Sequence, residues 1–206
     1  MLEVARRVDP KRVARKREQI TVAATKLFST RGYENTSVAD IARAAGISQA
    51  SVFYYFTDKA ALFRSIFERD LPAAERLIAR HAEAAQPVPA ILNVLDELGK
   101  EAADPGASGM VVELLRRVEH DPELVTVVAR TTEILTDGLA ELISRGISDG
   151  SIAEDLDPVE TAMWLQAIVD ATYLNARPGY SPTAELRRTA LGYLAPPAHQ
   201  GEESHD

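Results

Sequence analysis

There is no cysteine among the 206 residues, so disulfides, thiolate nucleophiles and Cys-ligated zinc are all excluded. Histidine is sparse as well. His81, His120, His199 and His205 are scattered without metal-ligand spacing, and no metal and no cofactor is expected. There is no Gly-rich phosphate loop, no internal repeat and no strand-like alternation of useful length. No run of about 18 apolar residues occurs, and Met1 to Arg7 has no apolar h-region, so the expected location is the cytoplasm, without a membrane partner. What the chain does have is 46% hydrophobic residues, enough for one sizeable core, or for a small module on a larger domain.

The net charge of −8 by itself argues against a nucleic-acid partner, but its distribution argues the opposite. Residues 1–64 carry 12 Lys+Arg against 6 Asp+Glu, whereas residues 65–206 carry 11 against 25. A positive end on an acidic chain is the electrostatic footprint that phosphates require, and the acidic remainder repels DNA and fixes which face docks.

The basic end holds the most informative stretch, Thr36 to Lys59. Ser37 is placed to cap a short helix, with Asp40 three residues on as a capping-box acid. Ile41, Ala42 and Ala45 give that helix its apolar spacing. Gly46 ends it, and Ile47 plugs the gap before Ser48 caps a second helix of Gln49, Ala50, Ser51, Phe53, Tyr54 and Tyr55, closed by Phe56. Two short helices about such a turn form a helix-turn-helix.

Thr36-Ser37, Ile41-Ala42, Ala45-Gly46-Ile47-Ser48, Phe53-Tyr54-Tyr55-Phe56 and Lys59 together resemble the signature of TetR-family transcriptional regulators, over about a quarter of the chain. Ala50 stands where that family often has Gly, and Phe53 and Tyr55 stand where Tyr and His are frequent. Residue 53 therefore has no hydroxyl for a phosphate, and residue 50 carries a methyl group near the bases. The resemblance implies a sequence-specific regulator of double-stranded DNA, most often a repressor, released from a pseudo-palindromic operator by a small molecule. In a helix-turn-helix the second helix enters the major groove with its N-terminal residues at the base edges. Gln49 can pair bidentately with adenine, Ser48 can bond to any base edge, and the Ala50 methyl can touch thymine. Ser37, Ser51, Tyr54, Tyr55 and Lys59 are assigned to phosphates, and Arg43 to a base or phosphate. Phe53 completes the candidate DNA-binding set. Packing is the plain alternative for Phe53 and Tyr54, and a solvated face for Arg43 and for Lys11, Arg12, Arg15, Lys16 and Arg17.

Elsewhere the spacing predicts helices throughout. Asp9-Pro10, Asp121-Pro122 and Asp157-Pro158 are start signals, with Asp as cap and Pro at the first helical position. Ile20, Ala23, Ala24, Leu27 and Phe28 give the first helix an apolar face. Pro72 is expected to kink a helix or to restart one near Leu71. Gln86 to Pro89 and Asp104 to Ser108 read as loops, and Ser181-Pro182 starts a last helix. From Ala162 to Tyr173 the chain is apolar nearly all round, which demands burial on more than one side. The expected fold is all-α with about nine helices. Residues 1–58 form a helix-turn-helix domain with a basic N-terminal arm, 59–195 a helical ligand-binding and dimerisation domain, and 196–206 a disordered tail.

The resemblance implies a homodimer in which the last two long helices of each copy pair as a four-helix bundle. It also implies an unidentified small-molecule ligand inside the second domain, for which Phe67, Met110, Leu114, Thr131, Leu135, Trp164 and Asp170 are the candidate lining, each equally readable as core. Thr131 and Gly138 reduce side-chain bulk on the long helix and leave room for a void. Asp170, among apolar neighbours, needs a partner across a two-fold axis or on the ligand. A DNA-binding regulator controlled by a protein partner, or acting without a ligand, is the alternative. An all-helical enzyme is a remote one, because its nearest acid–base pair, Glu113 and His120, more simply leaves Glu113 in an exposed ion pair with Arg117.

Overall fold

The computed structural model describes residues 9–196, which are helical and contain no strand. The elements are α1 (Pro10–Arg31), α2 (Val38–Ala44), α3 (Gln49–Tyr55), α4 (Lys59–Phe67), α5 (Asp70–His81), α6 (Pro87–Gly99), a 3-10 turn (Lys100–Ala103), α7 (Ala107–Val118), α8 (Pro122–Ser148), α9 (Pro158–Leu174) and α10 (Thr183–Leu194). The expected basic arm before Asp9 and the expected tail after Pro196 lie outside the described residues.

All three Asp-Pro pairs start helices. Asp9 accepts from the Lys11 N–H at 3.0 Å, Asp121 from Leu124 at 3.1 Å and Asp157 from Glu160 at 2.8 Å. Each cap satisfies a donor that the first turn leaves open, worth about 1 kcal/mol. Pro72 falls in the first turn of α5, so the chain restarts after Phe67 rather than kinking. The loop expected over 86–89 is shorter than its composition implies. Pro87 sits at the first position of α6, where its missing N–H costs nothing.

The chain packs as two units. The first comprises the described residues up to Leu71 together with Pro105–Arg130, and the second Pro72–Asp104 together with the described residues from Thr131 onward. The first unit closes on an aromatic cluster in which Phe28, Tyr33 and Phe63 stand 5.3 Å apart, centroid to centroid, in every pairing. Ile20, Ile41, Val52 and Leu62 complete this core from α1–α4, and Met110 and Leu124 enter it from α7 and α8. The sequence ends this module at residue 58. In the packing, α4, α7 and the first turns of α8 belong to it as well.

The second unit is built from Ile91, Leu95, Leu139, Leu142, Ile143, Leu165 and Leu186. Here the space expected beside Gly138 is filled: a Cβ on that residue would stand 2.3 Å from Cγ2 of Ile78, so the missing side chain lets α8 close on α5. Arg145 donates to the Ala82 and Ala84 carbonyls, and Tyr173 Oη to the Leu98 carbonyl at 2.5 Å. On α9, Ala162, Leu165 and Val169 are buried, but Met163 and Trp164 are more than half exposed. Its expected second cover is therefore not supplied by its own unit.

Candidate nucleic-acid interface

The helix-turn-helix is held by its own backbone chemistry. Ser37 and Asp40 form the capping box of α2, with Asp40 accepting from the Ser37 N–H and hydroxyl. Those bonds, the Ser37 hydroxyl first, hold the Asp40 carboxyl below its ordinary value. Gly46 takes φ 66°, and the Ile47 N–H reaches back to the Ala42 carbonyl at 3.0 Å, a Schellman closure that turns the chain into α3. Gln19 on α1 donates to the Ala45 carbonyl at 2.7 Å and so ties the turn to the first helix.

This geometry decides which candidate side chains face outward. On α3, Gln49, Ala50, Phe53 and Tyr54 are exposed, whereas Val52 is buried and Ser51 and Tyr55 are half-buried. Tyr54 is 70% exposed and stands edge-on to Tyr55, with centroids 5.0 Å apart. The Ser48 and Ser51 hydroxyls share a 2.8 Å hydrogen bond, and Ser48 caps α3. Arg43 pairs with Asp40 at 2.9 Å and is 77% exposed. Lys59 is tethered: Nζ donates to the Tyr33 carbonyl at 2.9 Å and lies 4.1 Å from the Tyr33 ring centroid. Two of its three ammonium protons remain for another acceptor.

Several positioning residues escape the sequence reading. Arg17 belongs to the basic stretch, yet it donates to the Tyr55 carbonyl and lies 4.2 Å from the Phe56 ring centroid, so its role is to seat the end of α3 on α1. Glu113 is not an exposed partner of Arg117. It is 6% exposed, accepts from the Tyr33 N–H at 2.9 Å and pairs with Arg116 at 2.7 Å. Arg117 instead lies 4.2 Å from the Tyr33 ring centroid and 3.6 Å from Glu34. Burial raises the Tyr33 phenol above its usual pKa. Arg64 on α4 bonds both oxygens of Asp121, at 3.0 and 2.9 Å. Contacts such as these, between residues 38, 57 and 80 apart, leave no local signature, which is why spacing arguments miss them.

The candidate ligand residues divide between the two units. Phe67, Met110 and Leu114 belong to the core of the first unit, and Leu135 to that of the second. Thr131 has a buried hydroxyl without a hydrogen-bond partner. Trp164 is 54% exposed and Asp170 is exposed on the same helix. Although it meets solvent, Asp170 is crowded enough for desolvation to push its carboxyl above the ordinary value. A surface cleft of about 580 Å³ in the second unit is lined by Arg80, His81, Asn93, Asp96, Glu97 and Lys100, none of them in the expected set.

A capped helix-turn-helix with an outward polar and aromatic face, at the basic end of an acidic chain, defines a DNA-binding protein of the helix-turn-helix class. The family model described as bacterial regulatory proteins, tetR family, matches residues 20–66, the segment from the buried face of α1 to α4. The chain is 24% identical over 158 residues to the HTH-type transcriptional regulator UidR of Escherichia coli strain K12, covering 76% of this chain and 78% of that one. It is 29% identical over 135 residues to the HTH-type transcriptional repressor BepR of Brucella suis, 63% of this chain and 64% of that one. Among solved structures, the transcriptional regulator FadR from Bacillus subtilis in complex with stearoyl-CoA superposes with a TM-score of 0.71 at 23% identity, over 86% of this chain and 97% of that one. Over residues 20–66 the chain thus matches the TetR family of transcriptional regulators, and the relatives it resembles over most of its length are transcriptional regulators of that kind. Among the described residues, no helix is long and apolar enough to cross a membrane.

Proposed function

We propose that the protein is a dimeric repressor that binds a pseudo-palindromic operator through α3 and is released from it by a small molecule. The observation that carries the DNA half is the exposed face of Gln49, Ala50, Phe53 and Tyr54 on a helix fixed at both ends. Gln49 serves as the base reader, with Ser48 and the Ala50 methyl beside it. Ser37, Ser51, Tyr54, Tyr55 and Lys59 serve as phosphate contacts, with Arg43 at a phosphate or a base. Among similar proteins, BepR is a repressor and FadR forms a complex with stearoyl-CoA, which supports repression and small-molecule control.

The dimer reading is supported by the exposed side of α9 and α10, where Val159, Met163, Trp164, Leu174 and Leu191 meet solvent. Trp164 and Asp170 accordingly go to the dimer face rather than to a ligand. Thr131 and Leu135 remain as ligand candidates, because the orphaned Thr131 hydroxyl is a buried group in want of a partner. The testing experiment is selection from random duplexes at two salt concentrations, followed by operator release in a small-molecule screen. The expected motif has half-sites whose centres are about 34–36 Å apart or a multiple of that. Selection that returned no motif would remove the DNA reading. A motif without any releasing compound would favour control by a protein partner.

A further inference from the structure

Phe53 lies on the outward face of α3, 47% exposed, beside Gln49, Ala50 and Tyr54, and is the one exposed side chain of that face larger than alanine that carries no polar group. At about 100° per residue it projects between Gln49 and Ala50, roughly 40° from the first and 60° from the second. It is one turn after Gln49. Its ring is not needed by the core of the unit, where Phe28, Phe63 and Phe56 are buried. Nor can it bond a phosphate, since it carries no donor. A large apolar group left half uncovered between two proposed base-reading positions has one complementary feature in the major groove, the C5-methyl group of thymine.

We propose that Phe53 is a specificity-determining residue that reads a thymine methyl by apolar contact, beside the base addressed by Gln49. The inference rests on the reading of α3 as the recognition helix. It implies a half-site in which the adenine held by the Gln49 amide has a thymine nearby on either strand, with the Ala50 methyl free to touch a second one. Shape and apolar contact carry this discrimination, so it adds nothing to the salt dependence, in contrast to the phosphate contacts.

The test is a thymine-to-uracil scan of the selected operator, since uracil differs only by the missing methyl. The full-length protein is compared with Phe53→Ala, Phe53→Tyr and Gln49→Ala. Wild type is expected to lose about 4-fold in affinity at one thymine of each half-site, the factor that corresponds to one buried methyl-sized group. Phe53→Ala should bind the thymine and uracil duplexes equally at that position while keeping any loss at the thymine under Ala50. Gln49→Ala should retain the thymine preference there. Restoring a methyl through 5-methylcytosine in place of cytosine at that position should help wild type and not Phe53→Ala. The inference is overturned if Phe53→Ala leaves the uracil profile unchanged or weakens every duplex alike. It is also overturned if Phe53→Tyr tightens all sequences together, the behaviour of a phosphate contact. If wild type selects no motif at all, the reading of α3 fails and takes this inference with it.

Discussion

Gln49 and Lys59, the proposed base reader and a proposed phosphate contact, are expected to behave differently when removed. Gln49 is exposed and makes no contact that the fold needs, so Gln49→Ala is expected to leave thermal stability unchanged while costing about 1–3 kcal/mol of binding and relaxing one base position. Lys59 has a structural bond as well, to the Tyr33 carbonyl at 2.9 Å. Lys59→Ala should therefore weaken all sequences alike, reduce the salt slope by about one unit and also lower the melting temperature. Competition binding at several salt concentrations, with melting curves, separates the two. The aromatic run and Lys59 were legible because they lie within one stretch of sequence. The attachment of Lys59 was not, because its acceptor is 26 residues away and is a carbonyl that every residue possesses.

Asp170 makes a prediction of the opposite kind. Its carboxyl is raised by desolvation, so the folded chain holds that proton more tightly than the unfolded chain. The resulting stability is present at acid pH and is lost as pH rises through the raised value. Asp170→Asn, which cannot ionise, should match wild type near the acid end and exceed it at neutral pH. Urea midpoints measured across that range check the sign, and a wild type more stable than the variant at pH 7 would show that Asp170 has a charged partner in the assembled protein.

Among the elements, the helix ends were the most legible part. An Asp-Pro pair states the cap and the first residue together, and each of the three does so here. Less legible was which helix leans on which, because that is set by side chains that are absent. Gly109 on α7 would place a Cβ 2.1 Å from the Ser29 carbonyl oxygen of α1, a backbone atom that cannot swing aside. Gly109→Ala is expected to push α7 off α1 and to cost about 1–3 kcal/mol or more, although alanine is the better helix former. Gly138→Ala meets the Ile78 side chain instead, so pairing it with Ile78→Ala should recover part of the loss. Denaturation of the two single variants and of the pair measures this difference, and equal losses with no recovery would contradict it. Glu113 belongs to the same α1–α7 contact. Its carboxylate gives the Tyr33 N–H its acceptor, so Glu113→Ala strands a buried donor and is expected to cost about 1–3 kcal/mol.

For the molecule as a whole, the outward side of α9 and α10 is the largest unmet demand. Reading Ala162 to Tyr173 as apolar all round predicts two covers, of which the second unit supplies one, and period alone cannot say which side chains each cover takes. Val169 is 3% exposed, so a charge there would break the second unit rather than a dimer. Met163, Trp164 and Leu174 are 58%, 54% and 54% exposed, and Leu191 on α10 is 46% exposed. Ala167, Ala171 and Gly192 lie exposed among them, small enough for another helix to approach closely. A two-fold pairing buries such a face twice, and stable association needs roughly 1,200–2,000 Å² of total burial. Met163→Glu with Leu191→Glu should therefore give a monomer that keeps its helical content, because neither side chain is part of the core. Operator affinity should fall much further than for any single contact variant, since linking two half-site readers makes the second binding event intramolecular. Sedimentation and operator binding of the double variant, measured at micromolar and nanomolar protein, test both statements. A wild type already monomeric at micromolar concentration, or a double variant that remains dimeric, would place the interface elsewhere.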